Sequence, residues 1–158
     1  MSKRFMRRGV MQIFISPTCA NIHQVTRAEI TAAEEITDNV ADTSGWTVEN
    51  SSIAVADMGS TFAKNIPGED SAADSSFTFW EDQDDDWLIE LLPKGFEGFV
   101  FILRKGDVPA SKSAGAYPVR VASNSAEISA GNDGARAVVS FSITDEPELD
   151  GPVPAATP

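Results

Sequence analysis

The chain has 158 residues, of which 42% are hydrophobic and 8% aromatic, so it carries the material for one core and one globular domain. Its formal net charge of −12 argues against a groove that grips phosphates, because affinity for nucleic acid comes mostly from lysine and arginine. The one cysteine, Cys19, excludes an internal disulfide, and no apolar run approaches the roughly 20 residues that a membrane-spanning helix needs.

The N-terminus combines a basic arm with an apolar run. Residues 1–9 contain Lys3, Arg4, Arg7 and Arg8, and Val10–Ile15 follow as a predicted strand that Ser16-Pro17-Thr18 ends. This order also imitates a secretory signal. The run is short for a signal, contains Gln12 and is broken by Pro17, so the pattern favours a strand behind a flexible arm.

A capping box predicts the first helix. Thr26 and Glu29 have the spacing of a cap and its reciprocal acceptor, and Ile30, Ala33 and Ile36 follow at helical spacing.

The next segment changes its alternation. Trp46 and Val48 place apolar side chains on even positions, whereas Ile53 and Val55 lie on odd ones, which predicts a bulge or turn at Ser51-Ser52. The residues from Asp57 to Ser76 are small and polar with Gly59, Pro67 and Gly68, so we predict a long loop with at most one short strand around Phe62–Ile66.

The heaviest apolar segment runs from Phe77 to Asp107. It predicts a strand at Phe77–Trp80, a short helix with Trp87 and Leu91 on its apolar stripe, and a central strand at Phe99–Leu103 with both faces covered. The carboxylates of Glu81–Asp86 stand where this helix leaves unpaired N–H groups, so we expect them to cap it. The predicted core of this unit comprises Phe77, Phe79, Trp87, Leu91, Phe99, Phe101 and Leu103.

The remaining chain is predicted to form lighter strands. Asp107–Gly115 is a predicted loop, Tyr117, Val119 and Val121 alternate, a turn is expected at Asn132-Asp133-Gly134, and Ala137–Ile143 is a clear strand. The sequence therefore predicts a mainly β fold, an antiparallel sandwich or barrel with one or two short flanking helices. We expect one domain at residues 10–146, followed by an extended acidic, Pro-rich tail at 147–158.

Residues for catalysis or metal binding are sparse. A calcium loop starting at Asp82 fails, because Trp87 stands where glycine is needed and Pro93 where the bidentate glutamate belongs. Cys19 and His23 have the spacing of one helix face, yet the chain has no second Cys or His to complete a zinc site. No Gly-x-Ser-x-Gly elbow or phosphate-binding glycine loop is present, so we expect no catalytic residue, no metal and no cofactor.

The order of several small motifs resembles the tail tube (major tail) proteins of long-tailed bacteriophages. The resemblance covers about residues 15–146, and no single motif in it is diagnostic. It is carried by Pro17-Thr18, Ala28-Glu29-Ile30-Thr31-Ala32, Gly45-Trp46, Ile66-Pro67-Gly68-Glu69, Ser75-Ser76-Phe77-Thr78-Phe79-Trp80-Glu81-Asp82, Gly98-Phe99-Val100-Phe101-Ile102-Leu103-Arg104-Lys105-Gly106-Asp107, Tyr117-Pro118-Val119-Arg120-Val121 and Val139-Ser140-Phe141-Ser142-Ile143-Thr144. Ala33-Glu34-Glu35 stands where the family commonly has a glycine, which leaves residues 26–37 open between helix and turn.

The resemblance implies a structural virion protein, made in the host cytoplasm, whose copies form stacked hexameric rings around a channel for DNA. It also implies tape-measure and tail-terminator or tip proteins as partners. An acidic wall would repel the sliding polyanion, and Asp42, Glu49 and Asp57 are the candidate lumen-facing acids. The alternatives are an acidic β-sandwich that binds a sugar or a protein, with Trp46 or Trp80 as a stacking platform, and an acidic enzyme of unrecognised type.

Overall fold

The computed structural model describes residues 3–132 and 134–155. In this part of the chain, the strands are β1 (Gln12–Ser16), β2 (Glu34–Glu35), β3 (Val40–Ser44), β4 (Val48–Val55), β5 (Lys64–Ala72), β6 (Ser75–Trp80), β7 (Glu97–Leu103), β8 (Ala114–Glu127), β9 (Arg136–Ile143) and β10 (Glu148–Gly151). The helices are α1 (Arg27–Ala32) and α2 (Trp87–Leu91), and Thr37–Asn39 form a 3-10 turn.

Within these residues, the strands form two antiparallel sheets. The larger sheet has eight strands in the order β2-β1-β7-β8-β9-β6-β3, and β10 also pairs with β8. The smaller sheet is a hairpin of β4 and β5. This mainly β, antiparallel architecture with two short helices confirms the predicted fold class.

The larger sheet curls until its two ends are close. β2 and β3 lie at opposite ends of the strand order, yet only residues 36–39 connect them. Five Cα–Cα steps span at most about 18 Å, whereas six strand spacings across a flat sheet would need about 29 Å. The sheet is therefore rolled into a barrel-like shape, and Ile36 N–H fixes the join by donating to the carbonyl of Ile13 at 3.0 Å.

One core fills the inside of the curl and a second covers part of its outside. The inner core contains Phe77, Phe79, Val100 and Tyr117, with Leu92 from the end of α2 packed among them. The outer core surrounds β7 and α1 and includes Phe14, Val25, Ile30, Phe101, Leu103 and Val153. β7 lies between β1 and β8 with both faces covered, as its continuous apolar run predicted.

The predicted core residues differ in their burial. Phe77, Phe79, Phe101 and Leu103 are at most 1% exposed. The other three, Trp87, Leu91 and Phe99, are half-buried and pack at the margins of the two cores.

The expected loop at Asp57–Ser76 is wrong, because β5 occupies nine residues of it. Pro67 and Gly68 argued against a strand, but Pro67 lies opposite Ser52 beside a shift of register between Asn50 and Ser52, where a proline is tolerated. That shift is the bulge predicted from the change in alternation.

Two further segments differ from expectation. The capping box of Thr26 and Glu29 is formed, but α1 ends at Ala32, and Ile36 lies in the inner core rather than on the helix. Residues 148–151 of the expected tail form β10 against β8, and Val153 is 2% exposed. In the expected turn at 132–134, Asp133 lies outside the described residues.

Candidate assembly surface

The hairpin of residues 48–72 stands clear of the body. Its strands pair from Val48 opposite Ala72 to Val55 opposite Lys64, and every residue from 49 to 67 is exposed. Eight residues of β4 at about 3.3 Å each give the hairpin a length of about 25 Å. An isolated two-stranded hairpin is marginal in water, so a partner surface would stabilise it.

The hairpin carries apolar side chains that the body does not cover. Ile53 and Ile66 lie directly opposite each other at 51% and 49% exposure. At the hairpin tip, residues 56–63, Met58 is fully exposed and Phe62 is 72% exposed. An uncovered apolar strand pair of this kind is typical of a surface that associates with another chain.

Short polar contacts shape the hairpin tip. The Asp57 carboxylate accepts a hydrogen bond from Gly59 N–H at 2.9 Å, and the Ser60 hydroxyl accepts one from Phe62 N–H at 3.1 Å. Such local turns fix the backbone around the two exposed apolar side chains.

A second feature is a pocket in the body, which we call the mouth pocket. It has a volume of about 410 Å³, and its apolar walls include Trp46, Phe77 and Tyr117. Among the described residues, its lining also contains Arg7 and Arg104 but no acid, which is unusual in a chain of net charge −12.

Trp46 forms a rigid wall of the mouth pocket. Its backbone N–H donates to the Ser75 hydroxyl at 3.0 Å, and the Tyr117 hydroxyl donates to its backbone carbonyl at 3.1 Å. Its ring stacks on Phe77 with 4.6 Å between the ring centroids. The backbone turns through positive φ at both Gly45 and Trp46. A side chain at Gly45 would collide with the Asp74 carbonyl, so glycine is required there.

Arg104 is held at the pocket by one end of its guanidinium. Its Nη2 donates to Asp150 at 2.5 Å and to the carbonyl of Lys112 at 3.3 Å. Its Nε is buried and has no acceptor within the described residues. A buried donor without an acceptor is costly, so this nitrogen lowers the net stabilisation that the other hydrogen bonds of Arg104 provide.

The three candidate lumen-facing acids are exposed but are not brought together. Asp42 lies on β3 at the end of the larger sheet, where it accepts a hydrogen bond from Thr43 N–H at 2.8 Å. Glu49 lies at the base of the hairpin and Asp57 at its tip. Sequence reasoning missed Met58 and Phe62, which a hairpin prediction for the 48–72 segment would have placed at an exposed turn.

The acidic run does not cap α2 as expected. Asp86 is the residue before the helix, but its side chain makes no capping hydrogen bond to any described residue, and Asp82 instead accepts from Asp84 N–H at 2.9 Å. A helix of five residues leaves little to cap. No group of three or more metal-ligating side chains occurs in residues 3–132 and 134–155.

Cys19 and His23 lie in the loop before α1 and share no helix face. Burial and a hydrogen bond with Glu29 raise the pKa of the Cys19 thiol to about 11, so it is a poor nucleophile. Glu29 serves the capping box, and His23 Nδ1 contacts the Glu148 carboxylate at 2.5 Å. Cys19, through Glu29, and His23, through Glu148, therefore connect the loop before α1 to neighbouring segments.

The two tryptophans considered as stacking platforms for a sugar differ in their exposure. Trp46 is packed into the mouth pocket against Phe77 and Tyr117, whereas Trp80 is 44% exposed at the end of β6. No helix in the described part of the chain is long and apolar enough to cross a bilayer.

Arg27 fastens the segment after β10 to the body. Its guanidinium donates to both oxygens of Asp107 at 2.7 and 2.8 Å and to the carbonyls of Pro154 and Ala155 at 2.8 and 3.1 Å. The hydrogen bonds from Arg27 hold the pKa of Asp107 below its ordinary value.

Comparisons with known proteins agree with this architecture. A family model described as phage tail tube protein matches residues 1–156. No curated protein sequence matches the chain.

Several solved structures share the fold. A chain in the structure of the sheath/tube terminator of an extracellular contractile injection system matches with a TM-score of 0.63 at 12% identity, over 93% of this chain and 97% of that one. A chain of the six-fold symmetrised baseplate of the anti-feeding prophage gives 0.59 at 9% identity, over 96% and 98%. A chain of the native gene transfer agent particle gives 0.55 at 13% identity, over 92% and 98%.

Proposed function

The chain belongs to the phage tail tube protein family, and we propose that its copies form rings of about six subunits that stack into a hollow tube for DNA. It is a structural protein of the virion tail. The anti-feeding prophage baseplate, which contains a chain of the same fold, is six-fold symmetrised, and this supports the ring size proposed for the present chain.

The observation that carries the proposal is the uncovered hairpin. A monomer gains nothing from about 25 Å of exposed sheet with Ile53, Ile66 and Phe62 in water, whereas an assembly buries these side chains against neighbours. These side chains are between half and three-quarters exposed, so burying the rest of their surface gives roughly 1–2 kcal/mol each before the cost of association.

Charge supports passage of DNA without adhesion. The net charge of −12 leaves few cationic contacts for phosphates, so a polyanion is not retained by a wall of this composition. Asp42 and Glu49 are the proposed lumen-facing acids. Asp57 lies at the hairpin tip, and we assign it instead to contacts between copies.

The proposed organisation places the tube wall in residues 10–146 and a basic arm in residues 1–9. The arm is proposed to reach toward neighbouring rings, whereas residues 148–155 pack on the body of their own chain through β10 and Arg27. Tape-measure and tail-terminator or tip proteins are the proposed partners at the interior and the ends of the tube, and the host cytoplasm is the proposed place of synthesis.

Negative-stain microscopy and size-exclusion chromatography of the concentrated protein test the proposal. We expect rings or tubes and an elution volume far smaller than that of a 16.9 kDa monomer. A protein that stays monomeric at high concentration with intact termini would contradict it. An acidic binding module would give that monomer and would bind a ligand through Trp80.

A further inference from the structure

We infer that the mouth pocket is the socket for the hairpin tip of a second copy, with Met58 and Phe62 as the inserted side chains. This inference rests on the proposed function, because it names the contact by which copies assemble.

The two surfaces match in polarity. The mouth pocket offers the rings of Trp46, Phe77 and Tyr117, and the tip presents a fully exposed methionine and a phenylalanine that is 72% exposed. A thioether and an aromatic ring both pack favourably on aromatic faces. The pocket volume of about 410 Å³ is in the range of sites that enclose a small group rather than a flat patch.

The two surfaces also match in charge. The described lining of the pocket has two arginines and no acid, and since Arg104 is already paired with Asp150, Arg7 supplies the available positive charge. The hairpin of residues 48–72 has four acids and one lysine. Arg7 forms no ion pair within the described residues, and Asp57 uses one carboxylate oxygen for Gly59. Asp57 of one copy therefore pairs with Arg7 of the next.

The tip cannot fill the pocket of its own chain. Val48, at the base of the hairpin, lines the mouth pocket, and the tip lies about 25 Å further along the hairpin. In the proposed ring, each copy gives its tip to one neighbour and receives a tip from the other, which is a head-to-tail contact of the kind that closes into rings.

Cysteine cross-linking tests the contact directly. In a Cys19→Ser background, copies with Phe62→Cys are mixed with copies carrying Thr47→Cys at the exposed rim of the mouth pocket. We expect a disulfide between the two kinds of copy in the assembled fraction. The matched control is Ile128→Cys, which replaces an apolar side chain 94% exposed outside the hairpin and should not cross-link to Thr47→Cys.

The outcomes separate this inference from the proposed function. Wild-type rings without a cross-link from Phe62→Cys above that of Ile128→Cys would overturn the socket and leave the tube intact. An unmodified protein that forms no rings or tubes would overturn both.

Charge exchange gives a second test that does not depend on a disulfide. Asp57→Arg should raise the concentration needed for assembly about tenfold, and adding Arg7→Asp in the same chain should restore it. Asp57→Asn is the control, since it keeps the acceptor for Gly59 and removes only the charge. Thermal unfolding of each variant confirms that the body is folded, and no rescue by Arg7→Asp in folded protein would contradict the pairing.

Discussion

At the scale of single residues, β7 is buried on both faces, so its apolar side chains stabilise both cores. Phe101 is 1% exposed and Leu103 is 0% exposed in the outer core, while Val100 and Ile102 fill the inner one. Side chains in a closely packed core have little room to move, so they cannot fill the cavity that truncation of Phe101 or Leu103 would leave.

Phe101→Ala or Leu103→Ala should therefore lower the free energy of unfolding by roughly 2–5 kcal/mol. Urea denaturation at a protein concentration below assembly measures this change. Phe99→Ala is the matched control, because Phe99 is half-buried on the same strand and should cost less. A loss below about 1 kcal/mol at Phe101 would show that the outer core is loosely packed.

The Arg27–Asp107 pair makes part of the stability depend on acid. The pKa of Asp107 is lowered in the folded state, so its contribution is present above the unfolded pKa near ~3.9 and is lost as pH falls through the folded value. The two side chains are 19% and 36% exposed, so screening by solvent limits the pair to about 1 kcal/mol.

Asp107→Asn should accordingly destabilise the protein by up to about 1 kcal/mol at neutral pH and by progressively less below pH ~4. Unfolding free energies of both proteins, measured from neutral pH down to about pH 3, check this. A difference that grows as pH falls would mean that the carboxylate is not the group stabilised in the folded state.

At the scale of elements, the sequence predicted the helices and strands that are stabilised by contacts close in sequence or that are buried on both faces. The capping box predicted α1 because its two residues contact each other within one helical turn. The apolar run at residues 99–103 predicted β7 because that strand is covered on both faces.

The second strand of the hairpin, β5, was not predicted. Lys64–Ala72 has no buried face to impose alternation, and Pro67 and Gly68 are compatible with a strand only at the bulge. Burial could likewise not be predicted for Trp46, whose place depends on positive φ at Gly45 and on β6.

Replacing the hairpin tip, residues 56–63, with an Asn-Gly turn separates assembly from folding. Val55 and Lys64 already pair directly, so a two-residue turn joins them without changing register. We expect thermal stability of the monomer to change by less than about 0.5 kcal/mol, because the removed side chains are exposed, and rings and tubes to disappear. Tubes formed by this variant would show that other surfaces hold the copies together.

At the scale of the whole molecule, charge is divided unevenly along the chain. Lys3, Arg4, Arg7 and Arg8 lie in the first nine residues, so the body is more acidic than the total of −12. A conduit benefits from that division if the arm stays away from the channel, because residues 10–158 carry 24 acids against eight lysines and arginines and so repel the polyanion.

A gel-shift assay with duplex DNA at low salt tests the passive wall. We expect no retention by protein that lacks residues 1–9, and any retention by the full chain should weaken steeply as salt rises. The pair of proteins differs only in the arm, so each serves as the other's control. Binding that survives deletion of the arm would contradict a non-adhesive wall.

The strand order also sets when each part of the molecule can form during synthesis. β1 finds its partner β7 only after residue 103 has been made, whereas β4 and β5 pair within the short segment from residue 48 to residue 72. The hairpin is thus complete while the body is still open, and the mouth pocket, which needs Tyr117 of β8, is among the last features to appear. A growing chain can present an adhesive tip long before any copy can accept it, so joining of copies waits for finished bodies.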